Sequence, residues 1–460
     1  MGTKHHSVAD PASDPKKQRR VGFSKIDAGV TPNECIKIYL VSTKEEVGSP
    51  DSFLIEPVDL NHFFEEDGKI YGYKGLTITI WVSSISFLAY ADISFESTSD
   101  GGRGITDLKS SLQNIFAENL VEKKEDFLQT FSTECDFAKS IASGAKVLQK
   151  NASNDSSGDS RLPKEEPADM EVLQVVGMPV GHLYSRLVPL VLLLIDGSNP
   201  IDVTDPRWEI YLLVRKDQED RHFRLLGFAA VYRFNRYPDG KRLRLGQILV
   251  IPPYQRKGYG RHLLEVLNNV AVSENVYDLT VEEPVDSLQH VRTCIDVERL
   301  LSFEPIQDAL NAVVLKLKHE NLSKKSQPIQ FRPPTSVIED ARKALKINKK
   351  QFLQCWEILI YLGLFPIDKY MENYRIIVSN RVKADVIGKE SEGAGKRIID
   401  IPTEFDQELS FAMFKSNGDD ATGIEKDENE GNLEEQLRQL VDERMKEIEL
   451  VGEKISVLRS

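Results

Sequence analysis

The sequence predicts an α+β protein of several domains: a mixed sheet with helices packed on it, between an N-terminal α+β module and a C-terminal helical region. Three observations carry this expectation. The chain has 460 residues, more than one hydrophobic core fills. Its central part alternates short apolar runs with helically spaced ones. Its last part carries helical patterns almost alone.

Taken in order, residues 1–22 mix Ser, Pro, His and basic residues without periodicity and are expected to be a disordered basic tail. Within them Lys16-Lys17-Gln18-Arg19-Arg20 reads either as a nuclear import signal or as a solvated run; no apolar stretch follows to make it a secretory signal. Residues 35–41, 76–82 and 87–93 are apolar and alternating, as antiparallel strands are. Residues 108–149 place Leu112, Ile115, Phe116 and Leu120 at helical spacing. Residues 23–150 therefore read as the N-terminal α+β domain, and 151–169, rich in Ser, Asp, Pro and Gly, as a flexible linker.

Residues 170–320 read as the central core. Strands are expected at 187–195, 208–214, 225–234 and 243–251, the last two joined as a hairpin across Gly240. A helix over 259–272 with Leu263, Leu267, Val270 and Ala271 on one face follows, then a strand at 277–281, a helix at 288–301 and a closing strand at 312–317. Residues 321–460 read as a C-terminal helical domain, with helices at 338–347 and 350–362 and an acidic solvated linker at 418–430. The stripe Leu433, Leu437, Leu440, Val441, Ile448 and Val451 either packs on its own domain or receives a partner helix.

Composition narrows the function. With 59 basic and 72 acidic residues the net charge is −13, which opposes a phosphate backbone and favours a lysine-rich polypeptide, so direct nucleic-acid binding is not expected. The longest apolar run, 188–195, contains Pro189 and falls far short of the about 20 residues a bilayer span takes, so no membrane anchor is expected. Cys35, Cys135, Cys294 and Cys355 are scattered, which disfavours disulfides and a zinc site; free thiols are expected, and no metal.

The informative segment is 247–261, Gln-Ile-Leu-Val-Ile-Pro-Pro-Tyr-Gln-Arg-Lys-Gly-Tyr-Gly-Arg. An apolar strand ends at Pro252-Pro253, where sheet pairing should part, and a loop with Gly258 and Gly260 opens an amphipathic helix. Glycines allow close backbone approach, successive N–H groups converge on an anion, and the helix start adds positive potential, here joined by Arg256, Lys257 and Arg261. The segment reads as a diphosphate site, where a lone G-x-G would be a plain strand-to-helix turn, and it has neither the ribose-binding acid of a Rossmann fingerprint nor the GK[ST] of a P-loop.

The run Gln255-Arg256-Lys257-Gly258-Tyr259-Gly260 resembles motif A (Q/R-x-x-G-x-G/A) of the GCN5-related N-acetyltransferase superfamily. Gly72-Tyr73-Lys74-Gly75, Asp205 to Trp208, Tyr237 to Asp239, Thr280 to Pro284 and Lys346 to Lys349 narrow the resemblance to the catalytic subunits of type B histone acetyltransferases, from about residue 30 onward. The resemblance implies a mixed-sheet acetyltransferase core and acetyl-CoA as cosubstrate. Ile248, Leu249 and Val250 would present backbone to the pantetheine arm, Gln255 to Arg261 would hold the diphosphate, and Ser287 would be a further coenzyme contact.

Acetylating a lysine requires removing a proton from an amine whose pKa is about 10.4. Glu282 and Glu283 end the strand after the coenzyme helix, and alternation leaves only one of them facing the centre. The resemblance puts the base at Glu282 and a second acid at Glu283. It also implies tail contacts at Glu66 and Asp67 and at Tyr232, Arg233 and Phe234, and as partners the N-terminal tail of newly made histone four with its histone partner and a WD-repeat histone chaperone, in nucleus and cytoplasm. Cys294 lies on an apolar helix, as a buried structural thiol does, which favours direct transfer over an acyl-cysteine route. Transfer to another protein or a small amine, and a noncatalytic histone-binding scaffold, are the alternative readings.

Overall fold

The computed structural model describes residues 28–65, 67–100, 102–151, 170–216, 223–237, 240–319, 331–365, 367–391 and 426–459. In chain order the elements are α1 (Pro32–Cys35), β1 (Ile36–Val41), β2 (Phe53–Ile55), β3 (Tyr73–Lys74), β4 (Thr77–Ser83), β5 (Ala89–Ser94), β6 (Ser97–Thr98), α2 (Leu108–Phe116), β7 (Leu120–Val121), α3 (Lys124–Thr133) and α4 (Phe137–Ala142). Then come β8 (Lys146–Asn151), β9 (Met170–Val176), α5 (Met178–Leu194), β10 (Trp208–Lys216), β11 (Phe223–Arg236), β12 (Gly240–Val250), α6 (Tyr259–Ser273), β13 (Leu279–Val281) and α7 (Asp286–Leu301). The last are α8 (Gln307–His319), α9 (Thr335–Leu345), α10 (Lys349–Gly363), α11 (Asp368–Ser391) and α12 (Lys426–Arg459).

Two compact units result, Met1–Phe137 with Tyr184–Pro200, and Ala138–Leu183 with Ile201–Ser460. The first holds a five-stranded sheet in the order β2-β1-β4-β5-β7. Its buried residues Ile36, Ile38 and Leu40 alternate on β1 and Ile78, Ile80 and Val82 on β4, the period that had marked both as strands. β1 and β4 pair in parallel, where an antiparallel sheet had been expected.

The second unit holds a six-stranded sheet in the order β13-β12-β11-β10-β9-β8, antiparallel except for the β12–β13 pair. The side chains of α6, among them Leu263, Leu267 and Val270, share a core with Tyr211, Leu213, Leu226 and Leu245 of this sheet. Residues 146–151, read as the tail of a helical stretch, are the edge strand β8, paired with β9. The boundary expected at 150 therefore falls between two paired strands; Asn151 belongs to β8, and 152–169 lie outside the described residues, as do 1–22. No boundary in packing falls near 320 either, because Cys294, Val297 and Leu300 of α7 share one core with side chains of α8 to α12.

Two strands expected from apolar runs are helices. Residues 187–195 fall largely in α5, where Val180, Leu183, Tyr184, Leu187, Leu190 and Val191 are buried at helical spacing. A continuous apolar run lacks the polar gaps that tell strand from helix, and Pro189 lies inside the helix. The helix tolerates it because the Ser185 carbonyl, which has no N–H at Pro189 to accept from, takes a hydrogen bond from Asn119 Nδ2 at 2.7 Å. The closing strand expected at 312–317 is likewise part of α8, with Leu310, Val313, Val314 and Leu317 buried on one face. Of the acidic run 418–430, residues 426–430 belong to α12 and the rest lie outside the described residues. Much of the stripe on α12 packs within its own unit: Val441, Ile448 and Val451 are buried in the helical core together with Met445, and Leu437 packs against it, whereas Leu440 is exposed.

Candidate active site

The site is built on β12. Along one edge this strand pairs with β11 throughout, but along the other it meets β13 only at Leu243, Arg244 and Leu245. The last rung is the Glu282 N–H donating to the Leu245 carbonyl at 2.9 Å. The register with β11 slips at this point, Val231 facing Leu245 and Ala230 facing Gln247, so Gly246 is the extra residue of a β-bulge. A bulge bends and twists its strand. Beyond Leu245 the pairing of β12 with β13 ends, while β12 continues to Val250 against β11. The parting expected at Pro252-Pro253 begins six residues earlier, at Gly246, and a single 3-10 turn, Pro252–Tyr254, closes the strand.

The loop that follows suits a diphosphate. Gly258 caps α6 at φ 84°, a left-handed conformation that favours glycine, and Arg256 adopts φ 63° as well. Residues 255–258 are exposed, and the first turn of α6 contains no acidic residue, so nothing within the helix offsets the positive potential of its start. Arg256 and Lys257 add charge there. The donor set fits the coenzyme: Arg256, Lys257, Gly258, Tyr259, Gly260 and the Arg261 main chain would hold the diphosphate, Ile248 and Val250 would flank the pantetheine arm, and Ser287 lies exposed in the first turn of α7.

Two of the expected contacts are redirected. The Arg261 guanidinium faces away from the loop, donating to Glu265 at 2.8 Å and to Glu298 of α7 at 2.7 Å, so it ties two helices together. The Gln255 side chain turns back to donate to the Val250 carbonyl at 2.9 Å and stiffens the turn. Leu249 contributes main chain only, its side chain being buried.

Glu282 and Glu283 are both exposed, but they differ in setting. Glu282 Oε1 lies 3.5 Å from Arg244 Nη1. Its Oε2 is 3.6 Å from where a Cβ on Gly246 would stand, beside the Trp208 ring, whose Cη2 is 3.0 Å from that point. Glu283 has φ 35°, so the chain leaves the strand at a strained non-glycine residue just before Pro284. Of the two acids, Glu282 is the one beside the parting of β12 and β13.

Strand register sorts the expected substrate contacts. Trp208 faces Tyr232 and Tyr232 faces Arg244 across β10, β11 and β12, so these side chains share one side of the sheet with Phe234. Tyr232 packs edge-on against Trp208 and Phe234 at ring distances of 5.0 and 4.6 Å, and its hydroxyl donates to Asp205 at 2.9 Å. Arg207 stacks on Tyr232 and Arg244 on Phe234. Arg233 points to the opposite face, where it ion-pairs with Glu209 and with Glu274 beyond α6. It braces the sheet against that segment and is not grouped with Tyr232 and Phe234. The sequence reading had missed Arg207, Arg244 and Gly246 as site residues; alternation along β12 makes Arg244 look like an ordinary solvated position, and no local signal distinguishes it.

In the first unit Glu66 lies outside the described residues. Asp67 already accepts from the Tyr71 hydroxyl and from Arg103 Nη1 at 2.8 Å, and the Tyr71 hydrogen bond, with a smaller contribution from the Arg103 charge, holds its carboxyl below the usual range. A tail lysine would share this acid with Arg103. On α7, Cys294 is buried with its Sγ 3.7 Å from His290 Nε2, and burial pushes the thiol up to about 11. No Cys-His pair was expected near the motif; His290 and Cys294, one helical turn apart on α7, form one, and the thiol is protonated at neutral pH.

A family model described as histone acetyl transferase HAT1 N-terminus matches residues 28–196, and one described as the acetyltransferase (GNAT) family matches residues 196–291. The chain is 55% identical to the histone acetyltransferase type B catalytic subunit of Arabidopsis thaliana, covering 99% of this chain and 98% of that one. It is 48% identical to the subunit of the same description from Zea mays, covering 98% and 96%. A Dictyostelium discoideum relative is 27% identical over 75% of this chain and 67% of its own.

The parted strands, the glycine loop and the GNAT match make this chain an acetyl-CoA-dependent acetyltransferase. Within that class, the length and level of identity to the plant proteins leave no other assignment: the chain belongs to the family of histone acetyltransferase type B catalytic subunits.

Proposed function

We propose that this histone acetyltransferase modifies lysine side chains in the N-terminal tail of newly made histone four by direct transfer in a ternary complex, with Glu282 as general base. The observation that carries the mechanism is the place of the Glu282 carboxylate, next to the point where β12 and β13 part and close to Trp208 and Gly246. When bound, acetyl-CoA supplies an acetyl group as a thioester: the C–N bond to lysine forms as the C–S bond breaks, and the coenzyme leaves as its thiol, the sulfur taking the second proton that the nitrogen loses. Gly258 and the start of α6 bind the diphosphate, and residues 246–250 offer an open strand edge to the pantetheine arm. Glu282 takes a proton from the side-chain ammonium, leaving the nitrogen lone pair free to attack. Trp208, Tyr232 and Phe234 offer an apolar side to the lysine methylenes. The raised, buried Cys294 thiol is unsuited to a covalent relay, which supports the direct route.

For recognition, the net charge of −13 favours a basic tail, and Glu66 and Asp67 are proposed to contact it. A WD-repeat histone chaperone as partner, histone four presented with its histone partner, and residence in both nucleus and cytoplasm rest on the family resemblance, with Lys16 to Arg20 as a candidate import signal.

The test is steady-state kinetics of the full chain with acetyl-CoA and a histone four tail peptide, with mass spectrometry of the product. Glu282→Gln should lower kcat about 100-fold or more while acetyl-CoA still binds. Unchanged turnover would remove the base assignment, and preference for another histone or a small amine would remove the substrate.

A further inference from the structure

The Glu282 carboxylate is half-exposed, and a surface glutamate at a strand end ordinarily samples several rotamers. Here three consecutive residues of β12 surround it. The Leu245 carbonyl holds its backbone N–H at 2.9 Å. Arg244 Nη1 lies 3.5 Å from Oε1. The absence of a side chain on Gly246 leaves room for Oε2 beside the Trp208 ring. Arg244 is itself fixed, with its guanidinium over the Phe234 ring at 4.3 Å and its Cα paired with Tyr232 on one side and Thr280 on the other.

From this arrangement we infer that Arg244 is a positioning residue for the catalytic carboxylate, acting through Glu282 from a seat on Phe234; the inference rests on Glu282 being the base. An ion pair this open to solvent contributes little to stability, so a structural role alone would leave Arg244 nearly dispensable. Orientation is different, because a misplacement of about 1 Å at a reacting group can cost about 100-fold in rate. A guanidinium stacked on a ring and paired with the carboxylate limits the directions in which the base can point. A lysine at this position keeps the charge but loses the planar face that stacks.

The experiment compares Arg244→Gln, Arg244→Lys, Glu282→Gln and the Gln/Gln double variant in kcat with a histone four tail peptide, alongside calorimetric binding of acetyl-CoA to each preparation, which also reports that the protein is folded. Arg244→Gln should lower kcat roughly 10- to 100-fold with acetyl-CoA affinity unchanged, Arg244→Lys should recover part of the loss, and the double variant should be no slower than Glu282→Gln alone. If the two losses multiply, or if Arg244→Gln weakens coenzyme binding as much as turnover, Arg244 does not act through the base and the inference falls while Glu282 stands. Full turnover in Glu282→Gln would instead overturn the base reading, and this inference with it.

Discussion

The backbone N–H of Glu282 donates to the carbonyl of Leu245 at 2.9 Å, and this is the last rung joining β13 to β12. One residue later on β12 stands Gly246, the bulge. The acid is thus fixed where the sheet opens, so the residue proposed to remove a proton and the strand edge proposed for the coenzyme arm have one structural origin.

Gly246 has no room for a branched side chain. A Cβ there would already stand 3.0 Å from Trp208 Cη2. Gly246→Val should push Trp208 and Glu282 apart and lower kcat at least 10-fold, with an overpacking cost of about 1–3 kcal/mol. Kinetics and thermal melting of the same preparation check both parts.

The diphosphate loop should contribute to binding rather than to turnover. Replacing Arg256 and Lys257 together by Glu should raise the acetyl-CoA Kd about 10-fold or more, because two favourable charges at the start of α6 become unfavourable. The kcat at saturating coenzyme should hold. Binding of the parent protein should weaken with added salt and that of the variant much less, as calorimetry at two ionic strengths would show.

The proline in α5 predicts a paired effect. Asn119→Ala removes the side-chain hydrogen bond to the half-buried Ser185 carbonyl and should cost about 0.5–1.5 kcal/mol. Adding Pro189→Ala restores an N–H for that carbonyl and should return part of the loss. Urea denaturation of the single and double variants measures it.

Glu357 on α10 ion-pairs with Arg381 of α11 and Arg444 of α12, the latter at 2.9 Å. Glu357→Ala leaves a largely buried Arg444 with only Glu447 and the Gln354 carbonyl as partners and should destabilise the packing of α12 by about 1–3 kcal/mol. Hydrogen exchange in α12 should rise well before exchange in β10 to β12.

Cys35 and Cys294 are each pushed up to about 11 by burial, from an ordinary 9.0. Folded, they hold their protons more tightly than unfolded, so their contribution to stability is fully present below pH 9 and is lost as pH rises toward 11. Native alkylation at pH 8 should reach Cys135, which is partly exposed, and spare Cys35, Cys294 and Cys355. Labelling of Cys294 at a rate like that of Cys135 would contradict its burial.

From the sequence alone, β1, β4, β5, β10 to β12, α6, α7, α9 and α10 were legible, because each has enough residues for its period to be unambiguous. The glycine loop was legible for the same local reason: strand, double proline, glycine pair and helix follow one another within fifteen residues. Tertiary structure decided the rest. The continuous apolar runs of α5 and α8 fit either period until burial selects a face. The bulge at Gly246 leaves no mark on the chain, since it exists only as a slip against β11. Whether Arg233 or Arg244 stands beside the acid depends on which side of the sheet each strand turns toward that point, and the pairing of Arg244 with Glu282 exists only because β13 returns beside β12. Local order follows from neighbours along the chain; a site assembled across strands follows from register, which only the folded sheet sets.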